Sequence, residues 1–330
     1  MKNKRIIFLI VLIVLGWLVG GWARNWYSKS KKFKSFRTDF SDISIDLNNL
    51  TQGNVGKDDI PDIPEPKFTS VKNAKLNDSD KGVLVDITGS KRFYPLNILT
   101  WHEVINDFMA GVPYAVTYSP FCESISVFRS STEDQGLKFR ATGFLYKSNL
   151  VFYDTKTESF WSQGLGQAIA GNFNGNRLDL VKNTQVLTFE NIRKNHFDAE
   201  VLSEDTGYFK NYSFNPYSGY LDTPEIPDFA KYENKRFPAK EMMYVVQLGE
   251  KSLVFPIDDL PEEEIRYRSF EGEVLRAGKV GSEIVVTKDG ERVGGYPQMW
   301  FCWAELHEDN GVVWDIKLEE ANRIDNEKDL

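Results

Sequence analysis

Cysteine and histidine are scarce, two and three among 330 residues. Two cysteines cannot build a disulfide scaffold, and a domain of this size does not need one. Cys122 and Cys302 could pair in an oxidising compartment; their spacing decides nothing. No long basic run occurs beyond the N-terminal region, and the formal net charge is -8. Phosphate binding needs a concentrated basic face, so this balance argues against a nucleic-acid partner. The chain also has no G-x-S-x-G, no H-E-x-x-H, no Walker loop and no dinucleotide fingerprint, which disfavours the enzyme classes with short signatures.

What is present begins with a single long apolar run. Ile6 to Ala23 carries no charge and as a helix spans roughly 27 Å, close to the apolar thickness of a bilayer. Lys2, Lys4 and Arg5 precede it as in an export signal, while bulky Trp17, Leu18, Val19 and Trp22 fill the place of a small-x-small cleavage site. The expectation is an uncleaved single-pass anchor in the cell membrane, with residues 1–5 inside. Arg24, Lys29, Lys31, Lys32, Lys34 and Arg37 outnumber the basic residues before the run, and the positive-inside rule alone would reverse the orientation. The export-like start favours an extracytoplasmic domain. Residues 24–55 read as a Lys-, Ser- and Asn-rich stalk, 56–316 as the globular domain and 317–330 as a polar tail.

With 41% hydrophobic and 14% aromatic residues, the remainder can bury a core. The pattern predicts a β-rich α+β single domain with short helices. Three prolines between Pro61 and Pro66 make an extended lead-in. Val83 to Ile87 and Arg92 to Pro95 form a hairpin around Gly89-Ser90. Ile98, Trp101, Ile105 and Phe108 recur at helical spacing, predicting a helix from Ile98 to Met109 that ends at Gly111 and Pro113. Strands follow at Tyr114 to Tyr118, Ile125 to Arg129, Leu137 to Thr142 and Leu150 to Tyr153, then a turn at Asn174-Gly175 and a short helix from Phe189 to Asn195 capped by Thr188. The run Tyr244 to Leu260 echoes Val83 to Leu99. The echo is either a weak internal duplication or two hairpins of similar composition.

The polar groups that could carry chemistry gather between Trp101 and Gln163. Cys122 could be a nucleophile or a ligand for a transition metal, with His102 as base or second ligand and Glu103 adjoining. A free cysteine is as often a small buried hydrophobe, and His102 could equally be a hydrogen-bonded core residue. Asn106, Asp107 and Ser119 adjoin as binding candidates, and Trp161 with Gln163 would form a wall. Glu103, Asp107, Asp154 and Glu158 offer the paired carboxylates of a hydrolase, or simply solvated faces. Trp161, Gln163, Tyr208, Tyr212, Asn215, Tyr217 and Tyr220 could stack on a glycan or grip a peptide, or pack a core. Three functions stay open: a thiol or metal site, a carboxylate hydrolase, and a non-catalytic domain binding a small molecule, glycan or protein partner.

Several of these segments, in order, resemble one family. They are Asp59-Ile60-Pro61, Tyr94-Pro95-Leu96, Trp101-His102-Glu103, Thr117-Tyr118-Ser119-Pro120-Phe121-Cys122, Tyr153-Asp154, Thr157-Glu158-Ser159-Phe160-Trp161-Ser162-Gln163 and Asp205-Thr206-Gly207-Tyr208, with Asn215-Pro216-Tyr217, Lys240-Glu241 and Trp300-Phe301 beyond. The chain is similar over about residues 56 to 315 to a bacterial and archaeal family known as domain of unknown function 3179. The family pattern at the centre is Thr-Tyr-Cys-Pro-Leu-Cys, and here Ser119 replaces the first cysteine. Ser119 removes the simple CxxC options of disulfide exchange and soft-metal binding. The resemblance implies an exported or membrane-anchored protein and brings no reaction with it.

Overall fold

The computed structural model describes residues 32–132, 135–249, 251–281, 283–307 and 309–317. The expected anchor, residues 6–23, lies outside them, as does nearly all of the expected tail. Among the described residues no helix is long and apolar enough to cross a membrane. The chain divides into two compact units, Met1–Thr38 and Asp39–Leu330. Of the first, only a short turn closed by the Phe36 N–H on the Phe33 carbonyl is described. Everything below concerns the second.

The expected α+β class is overturned. The described helices are Leu96–His102, Phe189–Asn195, Ser218–Leu221 and Trp300–Leu306, none longer than seven residues. The rest is β structure: five sheets of three to five strands in a propeller-like arrangement, with one small two-stranded ribbon. Most neighbours are antiparallel, so short turns suffice to connect them and long crossover helices are not required.

The predicted helix from Ile98 to Met109 shows why the class was misread. The helix runs only from Leu96 to His102; Glu103 then takes a left-handed backbone with φ 55°, and Val104–Met109 is a strand. That strand pairs with Val112–Ser119, Val104 opposite Thr117 and Met109 opposite Val112. Ala110 and Gly111 connect them with φ 51° and 81°, the two left-handed residues of a tight hairpin turn. Gly111 therefore turns a hairpin instead of ending a helix. Phe108, placed on the apolar face of the expected helix, is exposed.

Other elements form where expected. The hairpin Lys81–Ile87 with Ser90–Pro95 is present, as is Met242–Leu248 with Lys251–Pro256. The second is followed by a 3-10 turn, Ile257–Asp259, where the first leads into a helix. Thr188 caps Phe189–Asn195, its side chain accepting from the Asn191 N–H. The proline-rich lead-in lies on the domain: the Ile63 N–H donates to the Val104 carbonyl and the Asn106 N–H to that of Ile63. Upstream, in the stretch read as stalk, Leu50–Gln52 pairs with Phe139–Tyr146, and Leu50 is buried.

Two apolar clusters hold the central region. One joins Val83, Tyr94, Ile98, Ile105, Tyr118 and Ile125. The other joins Val104, Phe128, Phe139, Phe152 and Trp161. Val104 and Ile105 point to opposite clusters, as successive strand residues must. The strand Val112–Ser119 thus carries its last residues between two packed faces.

Candidate functional site

Val112–Ser119 ends where Pro120 cannot extend a ladder. The chain turns through Cys122, whose N–H donates to the Ser119 carbonyl, and returns as Ser124–Arg129. At this turn the thiol reading fails. Cys122 is disulfide-bonded to Cys302 and buried beside Met299 and Phe301. A disulfide sulfur is neither a thiolate nucleophile nor a metal-binding thiolate. Ser119 Oγ accepts the Leu150 N–H at 3.2 Å.

His102 is also spent on structure. Its Nδ1 lies 2.6 Å from the Pro61 carbonyl and its Nε2 2.7 Å from the Tyr212 hydroxyl. A carbonyl only accepts, so Nδ1 carries the proton and Nε2 accepts from Tyr212. The Tyr212 oxygen in turn lies 2.6 Å from the Thr206 hydroxyl. The rings of Tyr208 and Tyr212 pack against the imidazole, and burial holds its pKa below the ordinary value. His102 and Cys122 therefore share no pocket: the imidazole sits among tyrosines, and neither residue lines the two cavities described below. With both imidazole nitrogens engaged and the sulfur oxidised, the pair does not fit a metal ion. Among the described residues no group of three or more His, Cys, Asp or Glu is placed to hold one.

The expected carboxylates and wall residues separate in the same way. Asn106 bonds both main-chain groups of Phe139, at 2.9 and 2.7 Å. Asp107 takes Arg92 through both oxygens at 2.8 Å, along with the Tyr94 and Tyr114 hydroxyls. Asp154 accepts from the Thr157 N–H and from Trp161 Nε1. Glu158 is ion-paired with Lys57 at 2.9 Å. Trp161 packs in the core against Phe139 and Phe173 instead of walling a pocket. Gln163 Nε2 donates to Thr117 Oγ1 and to the Ser124 carbonyl, leaving its buried Oε1 without a partner.

Glu103 behaves differently. Its main chain is fixed, the N–H on the Leu99 carbonyl and the carbonyl receiving the Tyr118 N–H. No described residue hydrogen-bonds its buried carboxyl, and burial pushes its pKa up to about 8. Tyr118 is the link to a second acid. Burial raises its hydroxyl pKa, and the charges of Glu123 and Glu103 add to the effect. Glu123 is itself raised by burial, against the lowering fields of Lys81 and Lys240. Lys240 lies over the Tyr220 ring, 3.6 Å from its centre, and donates to the Tyr220 and Thr223 carbonyls. The Tyr220 hydroxyl donates to the Phe121 carbonyl at 2.8 Å, pinning the turn from outside.

Tyr118 and Glu123 open into a cleft of about 310 Å³. Val83, Leu96 and Ile125 supply apolar lining, and Lys81, Asp258 and Lys279 also line it. One wall is the whole strand Thr184–Thr188; Gly295 and Pro297 belong to the opposite one. Such a volume is at the lower end for a small-molecule site, roughly 300–1,000 Å³. A larger groove of about 880 Å³ runs past Gln163 and Tyr296; of its cations Arg292, Lys288 and Lys182 are paired with Glu283, Glu273 and Glu291, while Arg129 and Arg177 form no ion pair among the described residues.

Of the residues expected to act, Glu103 and Tyr217 keep perturbed side chains with no hydrogen bond among the described residues. Glu123 escaped sequence reasoning, because one glutamate after a turn carries no signal. Tyr217 and Tyr220 were expected as aromatic contacts and do surround Phe121, with ring centres 5.3 and 5.6 Å away.

No curated protein and no solved structure matches the chain. The model of one protein family, described as Protein of unknown function (DUF3179), matches residues 57–290. That match spans well over half of the sequence, and the chain belongs to the DUF3179 family.

Proposed function

We propose that this chain is a membrane-anchored, extracytoplasmic binding protein, and that its ligand is an amphipathic molecule held in the cleft at Tyr118 and Glu123. The observation that carries this reading is a division of labour. Apart from Glu103, the groups that a thiol, metal or paired-carboxylate enzyme would need are bonded into the fold, while the segment singled out in the sequence opens on an apolar-lined cleft with charged residues beside it. Apolar walls with a few placed polar groups are the usual composition of a ligand site. The apolar run Ile6 to Ala23 supplies the anchor. A disulfide supports the extracytoplasmic side, because such bonds persist in oxidising compartments.

The test is saturation-transfer NMR with a library of amphipathic fragments against the full chain in lipid nanodiscs, repeated on Leu96→Trp. Leu96 is half-buried at the cleft, and the larger ring would fill it. Fragments that bind the wild type and not the variant support the site. Equal binding to both moves the ligand elsewhere.

A second reading, a carboxylate-based hydrolase, is favoured by Glu103 alone. With its pKa raised to about 8, it holds a proton near neutral pH as a general acid must. Hydrolysis of p-nitrophenyl esters or glycosides that disappears in Glu103→Gln would replace the binding reading.

A further inference from the structure

One wall of the cleft is a sheet edge with unused hydrogen-bonding groups. Thr184–Thr188 is the terminal strand of its sheet. It pairs antiparallel with Lys81–Ile87, Thr184 opposite Val85, Val186 opposite Val83 and Thr188 opposite Lys81. Two bonds at the ends fix the direction of every peptide between them. The Asp86 N–H donates to the Asn183 carbonyl at 2.9 Å, and the Phe189 N–H to the Asp80 carbonyl at 2.7 Å. Bonded and non-bonded pairs alternate along an antiparallel ladder. Residues 183, 185, 187 and 189 therefore bond inward, and Thr184, Val186 and Thr188 turn their N–H and C=O groups outward. The Thr188 carbonyl, as the N-cap's, accepts the first bond of the helix Phe189–Asn195; no described main-chain or side-chain group meets the other five.

The opposite wall does not complete the ladder. Gly295–Met299 is also a terminal strand, and the Met299 N–H is taken by the Cys122 carbonyl at 2.8 Å. By the same alternation Pro297 faces outward with a carbonyl and no N–H. No ladder joins the two edges, and both line the cleft.

We propose that the cleft receives an extended peptide, which adds to Thr184–Thr188 as a further strand. This rests on the cleft being the ligand site and names the class of ligand. Outward donors and acceptors recur every second residue, about 7 Å apart along a strand, a spacing that an extended backbone matches and a sugar or acyl chain does not. Main-chain bonds supply the register, and alternate side chains of the peptide point to the apolar lining made by Val83, Leu96, Tyr118 and Ile125. Lys81 stands opposite Thr188 and forms no ion pair among the described residues; it suits an acidic side chain at that end. A strand of five residues calls for a peptide of five or six.

The experiment selects binders from a degenerate hexapeptide library of Val, Leu, Phe, Thr and Glu on the full chain in nanodiscs. The best binder is then remade with N-methyl groups on alternate peptide nitrogens, in each of the two phases. Strand addition predicts at least tenfold weaker binding for one phase and less than twofold change for the other. It also predicts tenfold slower hydrogen exchange at Thr184, Val186 and Thr188 when peptide is bound. Val186→Pro, which removes one outward N–H and no ladder bond, weakens binding tenfold. If that variant does not fold, the two methylated peptides still decide on the wild type. Equal binding of both peptides, with loss of binding in Leu96→Trp, overturns strand addition and leaves the cleft standing. A library without binders, beside amphipathic fragments that do bind the cleft, also overturns it. No binder of either kind overturns both.

Discussion

Cys122 and Cys302 are covalently joined across 180 residues, tying the turn after Val112–Ser119 to the helix Trp300–Leu306. The Met299 N–H reinforces the tie on the Cys122 carbonyl. Tyr118 and Glu123 flank this turn, so the link fixes the part of the cleft that they form.

The disulfide is expected to stabilise the fold by constraining the unfolded chain, by about 2–5 kcal/mol for so long a loop. Urea unfolding of Cys302→Ala against the wild type measures it. Native protein should show no reactive thiol, and two after unfolding with reductant. A thiol that reacts in the native state would restore Cys122 as a chemical group.

Stability should fall as pH rises through the range set by Glu103. Its folded pKa of about 8 lies above the ordinary 4.5, so between those values the folded state holds a proton that the unfolded state has lost. The stabilising term is complete below about pH 4.5 and is lost on the way to pH 8. At about 1.4 kcal/mol per tenfold change in proton activity it reaches at most about 5 kcal/mol. Glu103→Gln should therefore raise Tm at pH 8.5 and change it little at pH 4.5. Parallel Tm–pH curves for the two proteins would show that the carboxyl is not buried as described.

The acid side should be governed by histidine. His307 is held down to about 4 by burial, from 6.5, and His102 is also lowered. Between about pH 6.5 and 4 the unfolded state binds protons that the folded state refuses, so the histidine contribution drops as pH falls, opposing the Glu103 term down to about pH 4.5 and acting alone below it. The His307 contribution is about 3 kcal/mol at most. His307→Gln should flatten the drop in a Tm–pH series. An unchanged slope would contradict it.

Asp154→Ala should cost about 2–4 kcal/mol, because it leaves the buried Trp161 Nε1 and the Thr157 N–H unmatched. Denaturant titration checks this. Unchanged stability would return Asp154 to the list of catalytic candidates.

The legible part of the fold was its local chemistry. Gly89 and Pro95 mark a hairpin, Thr188 marks a helix start, and Pro120 marks a strand end, each through a backbone restriction that acts within a few residues. The helix from Ile98 to Met109 failed because Ile98, Trp101, Ile105 and Phe108 satisfy a helical period by coincidence, while Val104-Ile105 and Ala110-Gly111 favour a hairpin. The site was less legible. His102 and Asp154 look like catalytic groups in one dimension; only the partners Pro61, Tyr212 and Trp161 show that their capacity is used. The cleft could not be read at all, because it joins Glu123 to Thr184–Thr188 and Pro297 through sheet order, which no local pattern encodes.

The central claim is that the cleft at Tyr118 and Glu123 holds the ligand. The most direct measurement is saturation-transfer NMR of amphipathic fragments on the full chain in nanodiscs, wild type against Leu96→Trp, with unfolding curves confirming that both are folded. The account predicts a set of fragments that bind the wild type and are lost from the folded variant. Fragments that bind both equally, or none that bind the wild type, would contradict it.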